Sequence, residues 1–555
     1  MIKSLRPRVR WSSSLFKVPE PFNEPVLSFG PNSVEREQLQ KAISRLQQSS
    51  VPTIPLVING QHIFNKDVKD QIGPYDGKVI AKISQATADQ VDQAIESSLV
   101  ARVKWANQPW ESRAAVFLKA ADLITTKYRY DMLAYTMLSQ GKNAYQAEID
   151  ATCELADFLR FNAKYAETIY EQQPLRNAPN VWNRAEYRAL EGFVYAVTPF
   201  NFTAISGNLT AAPALMGNTV VWKPSVNAVL SNYKVYQIFK EAGLPDGVIN
   251  FVPGDAAMVT ERVLANKNFA ALHFTGSTDV FQKLYQKIAT NLPHYKSYPR
   301  IVGETGGKNF HFVHSSADID HAVKSTVRGA FEYQGQKCSA TSRAYIPTSI
   351  WPAFKQKLQK EISLITQGNS LLPNEFTSFM GPVIHSTSFN KVSTAITELK
   401  SDKDMELITG GNFNNDKGFY IEPTVFVTNN LQHQALEKEY FGPLLVISLY
   451  DEADLDKTLE IVDNTSPYGL TGSIFAQDRQ VIDFLSKKLE NAAGNFYIND
   501  KSTGAVVGQQ WFGGARKSGT DDKAGSQHLL TRFVAVRNIK ETMVPTTEVL
   551  YPSNY

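Results

Sequence analysis

Gly192-Phe-Val-Tyr-Ala-Val-Thr-Pro-Phe-Asn-Phe202 reads as an apolar strand, 192–198, that runs out at a proline and opens onto a polar turn. A helical stretch follows at 205–216, then a strand at 218–222 and a helix at 226–242 closed by Gly243-Leu-Pro. The alternation continues with a strand at 248–252, a helix at 256–265, a strand at 269–274 and a helix at 278–290. Short apolar strands alternating with helices predict βαβ units, and so a parallel sheet with helices on its faces. Ligands in such sheets bind beyond the carboxyl ends of the strands. The fold class is α/β. Residues 303–515 continue as a second α/β unit, punctuated by Gly442-Pro443, Tyr468-Gly469-Leu470 and Gly513-Gly514.

Upstream of this core the pattern is mostly helical. A helix is expected around 34–47, apolar residues recur at helical spacing through 87–140, and a further helix runs about 144–170. Asn59-Gly60 between the apolar runs of 54–64 predicts a tight hairpin. The chain has 555 residues, 43% of them hydrophobic, which is enough to bury a core without disulfide staples. Two cysteines exclude a disulfide framework and any cysteine-rich zinc module. The nine histidines show no metal-ligand spacing; His311 and His314, in an apolar stretch, read as packing residues, so no metal is expected. Lys and Arg number 57 against 54 Asp and Glu, too even a balance for a dedicated nucleic-acid binder. No apolar run approaches the ~20 residues a membrane span requires.

The first residues depart from this composition. Lys3, Arg6, Arg8, Arg10 and Lys17 occur with Ser4 and Ser12 to Ser14, and no acid precedes Glu20. A basic, serine-bearing, acid-free start predicts a mitochondrial leader over 1–26 and residence in the matrix.

Three turns stand where strands end: Thr198 to Phe202, Trp222-Lys223-Pro224-Ser225 and Phe274-Thr275-Gly276-Ser277-Thr278. A Lys past a strand can bond ribose or phosphate, and a Gly-Ser turn opening a helix can meet a pyrophosphate. The G-x-G-x-x-G fingerprint is absent, so these turns alone are a weak signal. Gly303-Glu-Thr-Gly-Gly-Lys-Asn309 is not a phosphate loop, because Val302 and Asn309 stand where Gly and Ser or Thr are needed. Glu304 is better read as a general base beside glycines that permit close approach. Cys338, beside Lys337 and at the start of an expected helix, has two influences that would lower a thiol pKa, the profile of a nucleophile. Cys153, among apolar neighbours, reads as a buried inert thiol. After the strand expected at 496–499, Ser502-Thr503-Gly504-Ala505 forms a small-residue loop whose backbone N–H groups can face an anion. Ser339 and Lys337 flank the nucleophile and can add a hydroxyl and a positive charge.

These segments, with Glu439-Tyr-Phe-Gly-Pro443 and Phe512-Gly-Gly514, stand in one order and together resemble the aldehyde dehydrogenase superfamily over residues 55–540. The runs 303–312, 331–339 and 491–504 resemble the branch that oxidises L-glutamate γ-semialdehyde to glutamate in proline breakdown. The resemblance implies a Rossmann-like parallel-sheet NAD domain over 27–302 and an α/β catalytic domain over 303–515. It also implies a β oligomerisation arm, built from a hairpin near 172–187 and the C-terminal segment 516–555. It assigns Cys338 as nucleophile, Glu304 as base and Asn201 as the oxyanion donor. It places NAD against Thr198, Lys223, Ser225, Gly276, Ser277, Thr278, Asp279, Val280, Glu439 and Phe441. Phe202 and Phe512 become the aromatic walls around the substrate, with Gly504 and Ala505 as its anchoring loop. A homodimer or higher homo-oligomer and a transient contact with a proline dehydrogenase are further implications. Many NAD-preferring relatives carry Glu where this chain has Val226, so no carboxylate there excludes the 2′-phosphate of NADP. The alternatives are a dehydrogenase for another aldehyde and a catalytically dead homologue, and the retained Cys338, Glu304 and Asn201 argue against the second.

Overall fold

The βαβ reading holds. In the computed structural model, which describes residues 16–555, five strands lie parallel in the order Arg300–Glu304, Phe269–Thr275, Phe193–Val197, Val220–Lys223, Ile249–Phe251. Phe193, Val194, Tyr195, Val220, Val221 and Trp222 are all buried, as expected of strands covered on both faces. The helices Thr203–Leu215 and Val229–Ala242 pack one face through Ala204, Ala211, Val235 and Phe239. Ala256–Ala265 and Thr278–Thr290 cover the other through Val259, Val263, Phe281 and Leu284. The first strand lies in the middle, and the chain then builds outward in both directions. The crossing point between Phe193–Val197 and Phe269–Thr275 is therefore where a ligand crevice opens.

The expected hairpin extends this sheet. Asn59 and Gly60 both have positive φ, 51° and 76°, which suits a tight primed turn. Its strands Leu56–Ile58 and Gln61–Ile63 join the sheet where Val57 pairs with Phe251. The helical region resolves into Ala88–Trp105, Trp110–Thr125 and Arg129–Gln140, the first opened by a Thr87 capping box. The helix expected at 144–170 is interrupted: Glu148–Glu154 is a π-helical stretch leading into Leu155–Glu171. The second α/β unit is a seven-stranded sheet in the order Glu406–Thr409, Thr424–Thr428, Leu444–Tyr450, Thr341–Pro347, Asn309–Val313, Thr471–Phe475, Asn495–Ile498. Only its first, edge strand runs antiparallel.

Two boundaries need correction. The arm does take in the C-terminal segment, but 172–187 forms no hairpin: the single strand Val181–Ala189 pairs antiparallel along its whole length with Val534–Thr542. Residues 172–180 follow the first strand through side chains instead, Gln173 bonding both the N–H and the C=O of Ala185. The leader expected over 1–26 also overlaps the fold. Residues 1–15 lie outside the described residues, but Lys17 pairs with Glu167 and Glu171, and Glu24 accepts from Arg129 and Arg160. Residues 17–26 are thus part of the folded body.

Candidate active site

Glu304 ends the strand Arg300–Glu304, and Cys338 lies in the turn that enters Thr341–Pro347. Both face one cavity of about 800 Å³, also lined by Phe202, Lys337, Ser339, Gly504, Ala505 and Phe512. All the residues expected to hold substrate therefore share a wall with the expected nucleophile and base.

Cys338 does not open a helix, and its surroundings do not lower its pKa. The preceding residues Tyr333, Gln334 and Gly335 have φ of 52°, 55° and 66°. Three successive left-handed residues are costly and persist only where neighbours enforce them. Here the Gln334 amide donates to Gly141 O at 2.9 Å and Pro382 O at 2.8 Å, and Gln336 Oε1 accepts from Ile384 N at 2.9 Å. A Cβ on Gly335 would stand 2.3 Å from Gly442 O, so no other residue fits. Lys337 spends its charge on Glu332, Nζ to Oε2 3.0 Å, both side chains being largely buried. Burial, with Glu304 nearby, pushes the Cys338 thiol up to about 12. Burial also raises the Glu304 carboxyl well above its usual range, against one bond from Gly514 N at 3.3 Å. Cys153 is buried as expected but lies in the π-helical stretch beside Glu148, 3.8 Å away, and burial and that charge raise its thiol too.

Asn201 stands next to the nucleophile's turn, its amide donating to Gln336 O at 3.0 Å. It is buried and does not line the cavity. Ser339 Oγ lies 2.7 Å from Thr503 Oγ1, tying the nucleophile's turn to the small-residue loop, where Gly504 has φ +99°. His311 packs as expected and also holds this loop. Its Nε2 accepts Ser502 N–H at 3.1 Å, and burial keeps the ring neutral, with its pKa down to about 3.

The expected cofactor residues gather at the strand ends outside the cavity. Thr198 Oγ1 accepts from Trp222 Nε1 at 2.9 Å. Lys223 ends its strand with its ammonium pushed down to about 8 by burial and by Lys69, and Ser225 follows it. Gly276, Ser277, Thr278, Asp279 and Val280 form the entry to the helix Thr278–Thr290. Ser277 is the N-cap residue, yet its hydroxyl makes no capping bond, which leaves first-turn N–H groups to an outside acceptor. Glu439 Oε1 accepts Gly307 N–H at 2.8 Å, and a Cβ on Gly306 would collide with that carboxyl at 2.5 Å. Phe441, with φ 58°, packs edge-on against Phe200. This cradle of strand ends, an uncapped helix start and a buried carboxylate fits a dinucleotide.

Sequence reasoning missed several residues at the cavity. Glu154 lines it, with a carboxyl raised to about 8 by burial and by Asp150. Arg328, Glu332 and Lys501 add charge, and Asn23, Glu24 and Val26 close its far side. Asp150 holds the start of the helix Thr203–Leu215 by accepting from Thr203 N (3.0 Å) and Ala204 N (2.8 Å), and Lys142 pairs with it at 2.5 Å in full burial. The π-helical stretch supplies Asp150, Cys153 and Glu154, and such bulges recur at functional sites. Among the described residues no helix is long and apolar enough to cross a membrane, and no cluster of His, Cys, Asp and Glu could hold a metal ion.

Comparisons with known proteins agree with this architecture. The model of the aldehyde dehydrogenase family matches residues 64–539. The mitochondrial delta-1-pyrroline-5-carboxylate dehydrogenase of Emericella nidulans is 56% identical over 544 residues, 97% of this chain and 95% of that one. The human mitochondrial protein of the same name is 45% identical over 545 residues, 98% of this chain and 96% of its own. A crystal structure of the Mycobacterium tuberculosis delta-pyrroline-5-carboxylate dehydrogenase bound with NAD superposes with a TM-score of 0.93 at 44% identity, covering 98% of this chain and 100% of that one. A match that spans the parallel sheet, the Cys338 turn and the paired arm alike means that the chain belongs to the aldehyde dehydrogenase family.

Proposed function

We propose that the chain oxidises L-glutamate γ-semialdehyde, formed from delta-1-pyrroline-5-carboxylate, to L-glutamate with NAD, the second step of proline catabolism. The observation that carries the reading is the shared cavity, in which a thiol, a carboxyl and an anion-ready loop line the same space. Cys338 Sγ adds to the aldehyde carbon, and Asn201 with the Cys338 N–H receives the developing oxyanion. A donor of this kind contributes about 3 kcal/mol. Burial and the neighbouring Glu304 disfavour the thiolate, so the thiol gives up its proton to solvent as Sγ attacks. NAD, when bound along Thr198, Lys223, Ser225, the 276–280 turn, Glu439 and Phe441, supplies the hydride acceptor. Glu304 then takes a proton from the water that attacks the thioester, and the acid leaves Cys338 free.

Phe202 and Phe512 flank the substrate's short chain. The α-carboxylate is taken by Ser339 and the N–H groups at Gly504 and Ala505, with Lys337 held by Glu332 on the same wall, and Glu154 is placed to pair with the α-ammonium. Val226 leaves NADP without a repelling carboxylate, so preference for NAD is modest. The work is done in mitochondria, and we place it in the matrix, with a leader ending before Lys17. The ribbon of Val181–Ala189 and Val534–Thr542 exposes Trp182 and Val536 and serves a homodimer or larger assembly; transient contact with a proline dehydrogenase fits the shared intermediate. Cys338→Ala should abolish turnover and keep NAD binding, whereas Cys153→Ala should leave kcat nearly unchanged. Similar losses in both variants, read by NADH absorbance and cofactor titration, would assign the chemistry to the wrong thiol.

A further inference from the structure

The chain's first described residues do more than cover the body. Residues 17–27 run along the π-helical stretch and the helix after it. Val18 N donates to Glu167 at 2.7 Å, Glu24 N to Asp157 at 2.8 Å and Leu27 N to Glu148 at 3.0 Å. Glu24 receives Arg129 at 2.7 Å and Arg160 at 2.9 Å, and all three side chains are about nine-tenths buried. This strap is a fixed wall.

Asn23 carries that fixity across to the loop after the strand Asn495–Ile498. Its Nδ2 donates to Asp157 Oδ2 and to Val507 O, both at 2.7 Å, and its Oδ1 accepts from Gln509 Nε2 at 3.0 Å. Both amide hydrogens and the carbonyl are thus engaged, one side on the strap's own support and the other on the loop. The loop needs such a hold. Gly504, Val506, Gly508 and Gln509 are exposed, and Gly504 and Gly508 have φ of +99° and +83°. Its near end is fixed by Ser502 and Thr503 through His311 and Ser339. Asn23, Val507 and Gln509 line the same cavity as Gly504, Ala505 and Cys338.

We propose that Asn23 is a positioning residue that fixes the far end of the 503–509 loop, and so sets how tightly the cavity grips the charged end of an amino-acid aldehyde. The proposal rests on the reading of Gly504 and Ala505 as that grip. Loosening the loop leaves the thiol, the base and the cofactor cradle in place, so the effect belongs in KM for charged substrates and not in kcat. The test compares full-length wild type, Asn23→Ala and Gln509→Ala on glutamate semialdehyde and on pentanal, which lacks the charged end. Asn23→Ala should raise KM for the semialdehyde about tenfold, with kcat within about twofold and KM for pentanal and NAD unchanged. Gln509→Ala removes one of the two links and should move KM the same way, by about threefold. If Asn23→Ala fails to fold, Gln509→Ala decides the matter by that shift. An unchanged preference for the semialdehyde in the folded variants overturns the positioning role alone, as does an equal loss on both aldehydes. A wild type without that preference overturns the substrate reading, and the proposal with it.

Discussion

Glu304 sets the pH dependence at the scale of the residue. Its carboxyl is raised well above its usual range by burial, and only its ionised form can accept a proton from water. The base form grows as pH rises through that raised pKa, and thioester hydrolysis should climb with it to a plateau. Glu304→Gln should remove this rising limb and slow deacylation by about 10²-fold or more, while the first NADH still forms. Rapid mixing should then show an NADH burst near one per site, followed by slow turnover. A variant that shows no burst and keeps the wild-type pH profile would give Glu304 another role. The motif around it was legible as a carboxylate beside glycines, but Gly306 packs on Glu439, and the glycine that meets Glu304 is Gly513, where a Cβ would stand 3.0 Å from Oε1. The Cys338 thiol was misjudged for a physical reason. Neighbours in sequence supplied Lys337, but its charge is spent on Glu332, and burial then decides the pKa.

At the scale of the element, the Tyr333–Gln334–Gly335 turn presents the nucleophile. Left-handed backbone costs about 1–3 kcal/mol per residue unless glycine occupies it, and Gly335 also lacks room for a side chain. Gly335→Ala should therefore lower stability by about 1–3 kcal/mol and kcat by at least about tenfold. Thermal melts and steady-state rates check this, and wild-type values for both would show that the turn does not position Cys338. The strands and helices of 192–290 were readable because their hydrophobic runs are local. The π-helical stretch was not, since one extra residue per turn leaves the apolar pattern of 144–170 almost intact.

At the scale of the molecule, the legible parts are those whose partners lie nearby in sequence. The ribbon joins Val181–Ala189 to Val534–Thr542, and Asn23 meets Val507 and Gln509, across separations that no periodicity records. Only the resemblance to a known family pointed to the arm; it joined 172–187 to the C-terminal segment, and only its hairpin is absent. Nothing in the sequence pointed to the strap. In the proposed function, one cavity joins hydrolytic aldehyde oxidation to recognition of a charged amino-acid end. The direct measurement is kcat/KM with NAD for glutamate semialdehyde against pentanal, in wild type and Ser339→Ala. Each charge-assisted bond contributes about 1.5–3 kcal/mol, so the wild type should favour the semialdehyde by at least about tenfold, and Ser339→Ala should lose most of that preference while pentanal turnover barely changes. Equal kcat/KM for the two aldehydes in the wild type, or equal losses on both in the variant, would contradict that function.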